Sequence, residues 1–173
     1  MPKNTTFTSW HVAVAAEAIA AALFARCGID VSVQYGANQP EYDLIVSRAE
    51  QLLKVSVKGS QDGSWGLCQG LIEPKSADYH QAIDRWLARH KPRTILCLVQ
   101  FKGVALTDMP RVYLASPREV AERLHKTAKG RGDTILYERH KWGSRAVGAG
   151  TEERLPESWR FSAVRVQHLL DEG

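Results

Sequence analysis

Residues 10–27 repeat apolar side chains at the spacing of one helix face, Val12, Ala16, Ile19 and Leu23, within an alanine-rich run. Ser9 is placed to cap the start of this predicted helix and Gly28 to stop it. The period then changes from helical to alternating: Ile29, Val31, Val33 and Tyr35 interleave with polar residues, which predicts a half-buried strand, and Gly36 to Pro40 supplies a turn. Two further strands are predicted over 42–46 and 52–58, joined by a polar connection short enough for an antiparallel hairpin.

After a glycine-containing stretch over 59–70, residues 78–90 read as a helix with Ile83, Trp86 and Leu87 on one face, Ser76 as its cap and Pro92 closing it. The nearly unbroken apolar run 94–101 predicts a strand covered on both faces, the expected centre of the sheet. An edge strand is predicted over 112–115. Ser116-Pro117-Arg118-Glu119 then has the form of a capping box with proline at the first helical position, opening a helix to about Lys129. A strand over 134–137, a polar glycine-containing segment over 143–151 and a terminal helix over 162–170 complete the pattern. The order αβββαβ followed by βαβα implies an α/β protein with a mixed central sheet flanked by helices. Residues 1–173 read as a single domain, with a core over about 8–101 and a C-terminal β/α extension over about 102–173.

Composition narrows the function classes only modestly. At 44% hydrophobic and 24% charged residues the chain is an ordinary globular one, and a disordered chain is excluded. No run reaches the roughly 18 apolar residues of a membrane helix, and the first residues lack the pattern of a secretion signal, so the expected location is cytoplasmic and no membrane partner is expected. Cys27, Cys68 and Cys97 have neither metal-ligand spacing nor a partner sequence for a disulfide framework, and read as reduced thiols. A net charge of +4 leans towards a polyanionic partner without deciding it.

The chemistry is carried by charges in apolar settings. Glu17 is the only Asp, Glu, Lys or Arg between Lys3 and Arg26, and it stands in the helical row Ala13, Glu17, Ala20, Ala21, Phe24. An ionised carboxylate among apolar neighbours calls for a cation, a metal or a cleft mouth; the plainer alternative is a solvated outer helix face. Asp43 interrupts one strand of the hairpin and Lys58 ends the other, with Ser56 on the same side of its strand as Lys58. Together they suit phosphodiester hydrolysis: a carboxylate and a main-chain carbonyl such as that of Val57 hold Mg²⁺, and the lysine orients or deprotonates a water. The plainer alternative here is a cross-strand ion pair between Asp43 and Lys58.

Glu17 on the first helix, Pro40-Glu41-Tyr42-Asp43 on the second strand and Val55-Ser56-Val57-Lys58 on the third together resemble the PD-(D/E)XK nuclease superfamily. The spacing is similar to that of Holliday-junction resolvases and related small prokaryotic endonucleases, over roughly residues 10–101. The resemblance implies a restriction-endonuclease-like fold, Asp43 as central metal ligand, Lys58 as catalytic lysine, Glu17 as the helix-borne acid, and Mg²⁺ or Mn²⁺ as cofactor. There are two departures. Pro40 stands three residues before Asp43 rather than beside it, and Ser56 fills the slot where the family places Glu or Gln. The metal site is therefore either completed by Glu17 or Glu41, or degraded.

DNA is the expected partner. Gln61, Trp65 and Gln69 follow Lys58 in a loop able to meet a nucleic-acid backbone, although a tryptophan such as Trp65 more often covers a core, and Lys126, Lys129, Arg131, Arg139, Lys141 and Arg145 form a basic stretch interleaved with Tyr137 and Trp142. A merely solvated face has the same composition. No histidine has catalytic or metal spacing. Three functions are open: a metal-dependent DNA nuclease, with structure-selective cleavage undecided; a nuclease-fold module that binds nucleic acid without efficient cleavage; and a protein-interaction scaffold. Whether the chain pairs as a homodimer is also open.

Overall fold

The structure, a computed structural model, describes residues 7–34, 41–74 and 78–172. Tyr35, the turn through Pro40 and Ser76 lie outside these. The described residues form four helices, α1 (Ser9–Arg26), α2 (Tyr79–Ala88), α3 (Pro117–Lys126) and α4 (Ala163–Glu172). Their strands are β1 (Asp30–Val33), β2 (Leu44–Arg48), β3 (Gln51–Ser60), β4 (Ser64–Gly66), β5 (Thr94–Gln100), β6 (Arg111–Ala115), β7 (Ile135–Tyr137), β8 (Arg139–Lys141) and β9 (Glu152–Arg154). The main sheet has five strands in the order β1-β2-β3-β5-β6. Only β3 and β5 run parallel, in the register Val55↔Ile95 and Val57↔Cys97; the other neighbours are antiparallel. The centre is thus β3, with β5 beside it, because α2 carries the chain across one face and returns β5 alongside β3 in parallel.

Alternation sorts the side chains of β3 and β5 into two cores. Val55, Val57, Ile95, Cys97 and Val99 pack with α1 and α4, whereas Leu96 and Leu98 pack with α2 and α3. Every residue of β5 is buried, as its unbroken apolar run predicts. Cys68 and Cys97 are buried free thiols and Cys27 a half-buried one; burial pushes the Cys68 thiol up to about 12.

Local signals place the helices with small shifts. The cap of α1 is Thr8 rather than Ser9, in a capping box with His11, and Gly28 at φ 71 follows the helix as its stop. Asp78 caps α2. The Ser116–Glu119 capping box forms as predicted, but α3 stops at Lys126 because Ala128, Lys129, Gly130 and Gly132 turn to positive φ. Residues 135–137 do not join the main sheet: β7 pairs with β4, and the short ribbon β8–β9 follows. The three-residue strands β4, β8 and β9 carry too little alternation to be seen in sequence, whereas β7 falls within its predicted range.

Two contacts lock the layers. Gly59 faces α1 so closely that an added Cβ would lie 2.7 Å from Val12 Cγ1 and 2.8 Å from the Val12 carbonyl oxygen. Arg165 of α4, 7% exposed, donates from Nη2 to both carboxylate oxygens of Glu119 at 2.7 and 2.6 Å and from Nε to the Leu114 carbonyl. Gly59→Ala is therefore expected to cost about 1–3 kcal/mol of unfolding free energy through overpacking against main chain, read by chemical denaturation. Burial alone would raise the Glu119 carboxyl, but Arg165 and the Ser116 amide hold it below its ordinary 4.5. Its stabilising contribution is complete above that value and is lost as pH falls through the depressed folded value. Glu119→Gln should accordingly flatten the acid limb of the stability-versus-pH curve, which thermal melts between neutral and acid pH will measure.

Candidate active site

The β2–β3 ladder runs from Arg48↔Gln51 to Leu44↔Val55 and then opens. Asp43 marks the opening. Its main-chain amide still donates to the Val55 carbonyl at 2.8 Å, and its own carbonyl accepts from the Gln34 amide at 2.9 Å. The next β3 amide, that of Val57, donates to Asp43 Oδ2 at 2.6 Å. The carboxylate thus replaces a rung of the sheet at the point where β2 leaves β3. Amide and carbonyl of one strand residue point to the same edge, so the Val57 carbonyl faces the opened wedge as well.

The wedge lies near the C-terminal end of β3, beneath the first half of α1. Gly59 lets the helix settle there against Val12 and Ala16, and Glu17 is the next residue along. Glu17 is half-buried, so it does not sit on the outer, solvated face of the helix. Burial raises its carboxyl above the ordinary 4.5, the charge of Asp43 raises it further, and Lys58 opposes them. The three predicted residues therefore share one electrostatic field, although α1 covers the face of Val57 and Lys58 alternates to the other. Asp43 and Lys58 form no ion pair among the described residues, and the cross-strand pair expected of a purely structural arrangement is absent there.

Ser56 is 3% exposed and lies on the α2 face of β3, in register with Leu96. Glu41 does not complete a metal site. Its Oε1 accepts from the Lys91 amide at 3.0 Å and from Thr94 Oγ1 at 3.3 Å, which latches the start of β2 to the turn between α2 and β5. Among the described residues no three His, Cys, Asp or Glu side chains converge at metal-binding distance, so the acidic donors of the wedge are two, Glu17 and Asp43.

Sequence reasoning missed two neighbours of Lys58. Trp65 Nε1 donates to the Lys58 carbonyl at 2.9 Å. Trp65 is 3% exposed and packs in the second core, so it holds Lys58 from below and is no nucleic-acid contact. His90 feels the charge of Lys58 too. Burial holds its imidazole below the ordinary 6.5, against the Trp86 carbonyl and Glu41, and Lys58 pushes the same way as burial. His90 is far from Lys58 in sequence, and no local motif joins them.

The remaining predicted contacts divide. Gln61 is exposed and lines, with Ser9, Val12, Gly59, Ser60, Asp62 and Ser64, a groove of about 190 Å³ at the end of β3. Gln69 is exposed. Lys126, Lys129, Lys141 and Arg145 are exposed and make no ion pair among the described residues. Arg131 is occupied structurally, its guanidinium 5.0 Å from the Tyr79 ring, 5.4 Å from the Trp142 ring and 3.6 Å from Asp133. Arg139 is paired with Glu152. A cavity of about 560 Å³, lined by Leu53, Arg93, Ser116 and His168 among others, opens at the opposite end of β3 and holds none of the predicted site residues.

Among the described residues no helix is long and apolar enough to cross a membrane. Compared with protein-family models, with curated proteins and with solved structures, the chain matches none.

The geometry makes one direct demand on Glu17. Its carboxyl should titrate above the ordinary glutamate range in carbon-detected NMR and move back towards 4.5 in Asp43→Asn, which removes the neighbouring charge. Because an acid with a raised folded value loses stability as pH rises past its unfolded value, Glu17→Gln should be more stable than wild type at neutral pH and no more stable at pH 3.

Proposed function

We propose that this protein is a metal-dependent nuclease that hydrolyses DNA phosphodiester bonds on a restriction-endonuclease-like αβββαβ core, acting in the cytoplasm. The observation that carries this reading is the Asp43 carboxylate seated on the Val57 amide at the open end of the β2–β3 ladder, with the Glu17 carboxyl in its field. Two carboxylates beside a main-chain carbonyl, with burial and the charge of Asp43 raising the Glu17 carboxyl, form the oxygen-only donor set that suits a hard divalent cation. Asp43, Glu17 and the Val57 carbonyl would hold Mg²⁺ or Mn²⁺. When bound, such an ion polarises the phosphate and lowers the pKa of a water.

The chain's own groups do the rest. The Val57 amide fixes Asp43 Oδ2, and the other carboxylate oxygen is the one a cation would take. Lys58, exposed at the end of β3 with its carbonyl held by Trp65, orients or deprotonates the attacking water. Lys126, Lys129, Lys141 and Arg145 track phosphates of the bound strand, tethered near the end of β3 by the pairing of β7 with β4. A second reading, a DNA-binding module with weakened chemistry, draws on Ser56, which supplies a buried hydroxyl where a third carboxylate would strengthen the site.

Cleavage of branched, duplex and single-stranded DNA with Mg²⁺ or Mn²⁺ tests the proposal. Lys58→Ala and Asp43→Ala are each expected to reduce the rate about 10²–10⁴-fold while leaving binding at low salt in place. Binding without cleavage in wild type would establish the second reading, and neither binding nor cleavage would defeat both. Ser56→Glu separates them further. A carboxylate at this buried position should lower metal-free stability by about 1–3 kcal/mol, and Mn²⁺ should recover part of that loss only if the wedge holds the ion.

A further inference from the structure

The helices α2 and α3 cover the second core side by side, and their solvent edges bring together His80 and His125, 45 residues apart in sequence. The imidazole planes lie 17° from parallel with centroids 4.8 Å apart, and their Nδ1 atoms face each other at 2.6 Å. The outer nitrogens settle where the hydrogens are. His80 Nε2 lies 2.9 Å from the Gly130 carbonyl oxygen, and His125 Nε2 lies 2.9 Å from Asp84 Oδ1. Both partners accept only, so both Nε2 atoms must donate. In the neutral rings each Nδ1 is then a bare lone pair, and two lone pairs at that distance repel unless something positive lies between them.

The geometry points to a transition-metal site in which the Nδ1 atoms of His80 and His125 are the protein ligands, for ions of the Zn²⁺, Ni²⁺ and Cu²⁺ class. Imidazole nitrogen is the donor these ions prefer. A metal-binding histidine almost always donates its other N–H to a carboxylate or a main-chain carbonyl, and Asp84 and Gly130 supply one of each. Two metal–nitrogen bonds of about 2.0–2.1 Å at a tetrahedral angle need roughly 3.4 Å between the nitrogens. The rings must part by less than about 1 Å, which the exposed His80 and the partly exposed His125 permit. Water fills the remaining positions. The site is independent of the acidic wedge at Asp43, whose oxygen donors suit the harder Mg²⁺. The ion would tie α2 to α3.

Calorimetric titration of the full chain with Zn²⁺ and with Ni²⁺, in two buffers of different ionisation enthalpy, tests this. Expected are one ion per chain, release of about one proton on binding at a pH where the pair is protonated, and no competition from millimolar Mg²⁺. His80→Gln and His125→Gln should each abolish this binding, Asp84→Asn should weaken it about 10-fold or more, and Asp43→Ala should leave it unchanged. Thermal melts verify that each variant is folded; Asp84→Asn alone suffices if a histidine variant is not. No Zn²⁺ or Ni²⁺ binding in wild type, or binding that survives both histidine substitutions and Asp84→Asn, would overturn the assignment.

Discussion

A parallel strand pair has to be covered on both faces, and the pair β3–β5 imposes that requirement on this chain. Antiparallel neighbours are reached by a tight turn, as β2 and β3 are through Ala49 and Glu50, but a parallel neighbour needs a crossover, and here α2 serves. Once α2 lies on one face, the apolar side chains of β3 and β5 that point the other way need α1 and α4. The sandwich of helices, sheet and helices follows, and little polar chemistry can be housed inside it. Both proposed sites accordingly lie outside the two cores, one where β2 leaves β3 and the other at the edge between α2 and α3.

At the wedge, rigidity comes from ordinary main-chain bonding. Asp43 is held by its own amide and carbonyl in the strand pattern and by its side chain on Val57, so its carboxylate is placed before any ligand arrives. Glu41, two residues earlier, is fixed to the α2–β5 turn. Glu17 is the costly member of the group: a half-buried acid in an alanine-rich helix, its carboxyl raised by burial and further by the charge of Asp43. Such a placement lowers stability at neutral pH and is consistent with function rather than with folding.

Much of this was legible in the residues, and for identifiable reasons. The α1 stripe, the apolar run of β5 and the Ser116–Glu119 cap are local patterns whose physics is complete within a dozen residues, and each formed close to its predicted bounds. Charges isolated in apolar segments marked Glu17, Asp43 and Lys58. What stayed hidden depended on pairing across the chain: which strand is central, the β4–β7 ladder, the engagement of Glu41 at Lys91 and Thr94, and the hydrogen bond from Trp65 to the Lys58 carbonyl. The basic stretch was overcounted for the same reason, since Arg131 and Arg139 find partners that composition cannot reveal. His80 and His125 meet only because α2 and α3 lie side by side.

The first core draws Ala16, Ala20 and Phe24 from α1 and Val166, Leu169 and Leu170 from α4, from opposite ends of the described chain. Phe24 and Phe161 even meet edge to face, with ring centroids 5.1 Å apart. Until α4 arrives, β3 and β5 lack part of their cover on that side, and Glu119 lacks its arginine. Closing so distant a contact carries a loop-closure entropy cost, so the cover of β3 and β5 on that face is the part of the fold that loss of α4 would open to solvent first.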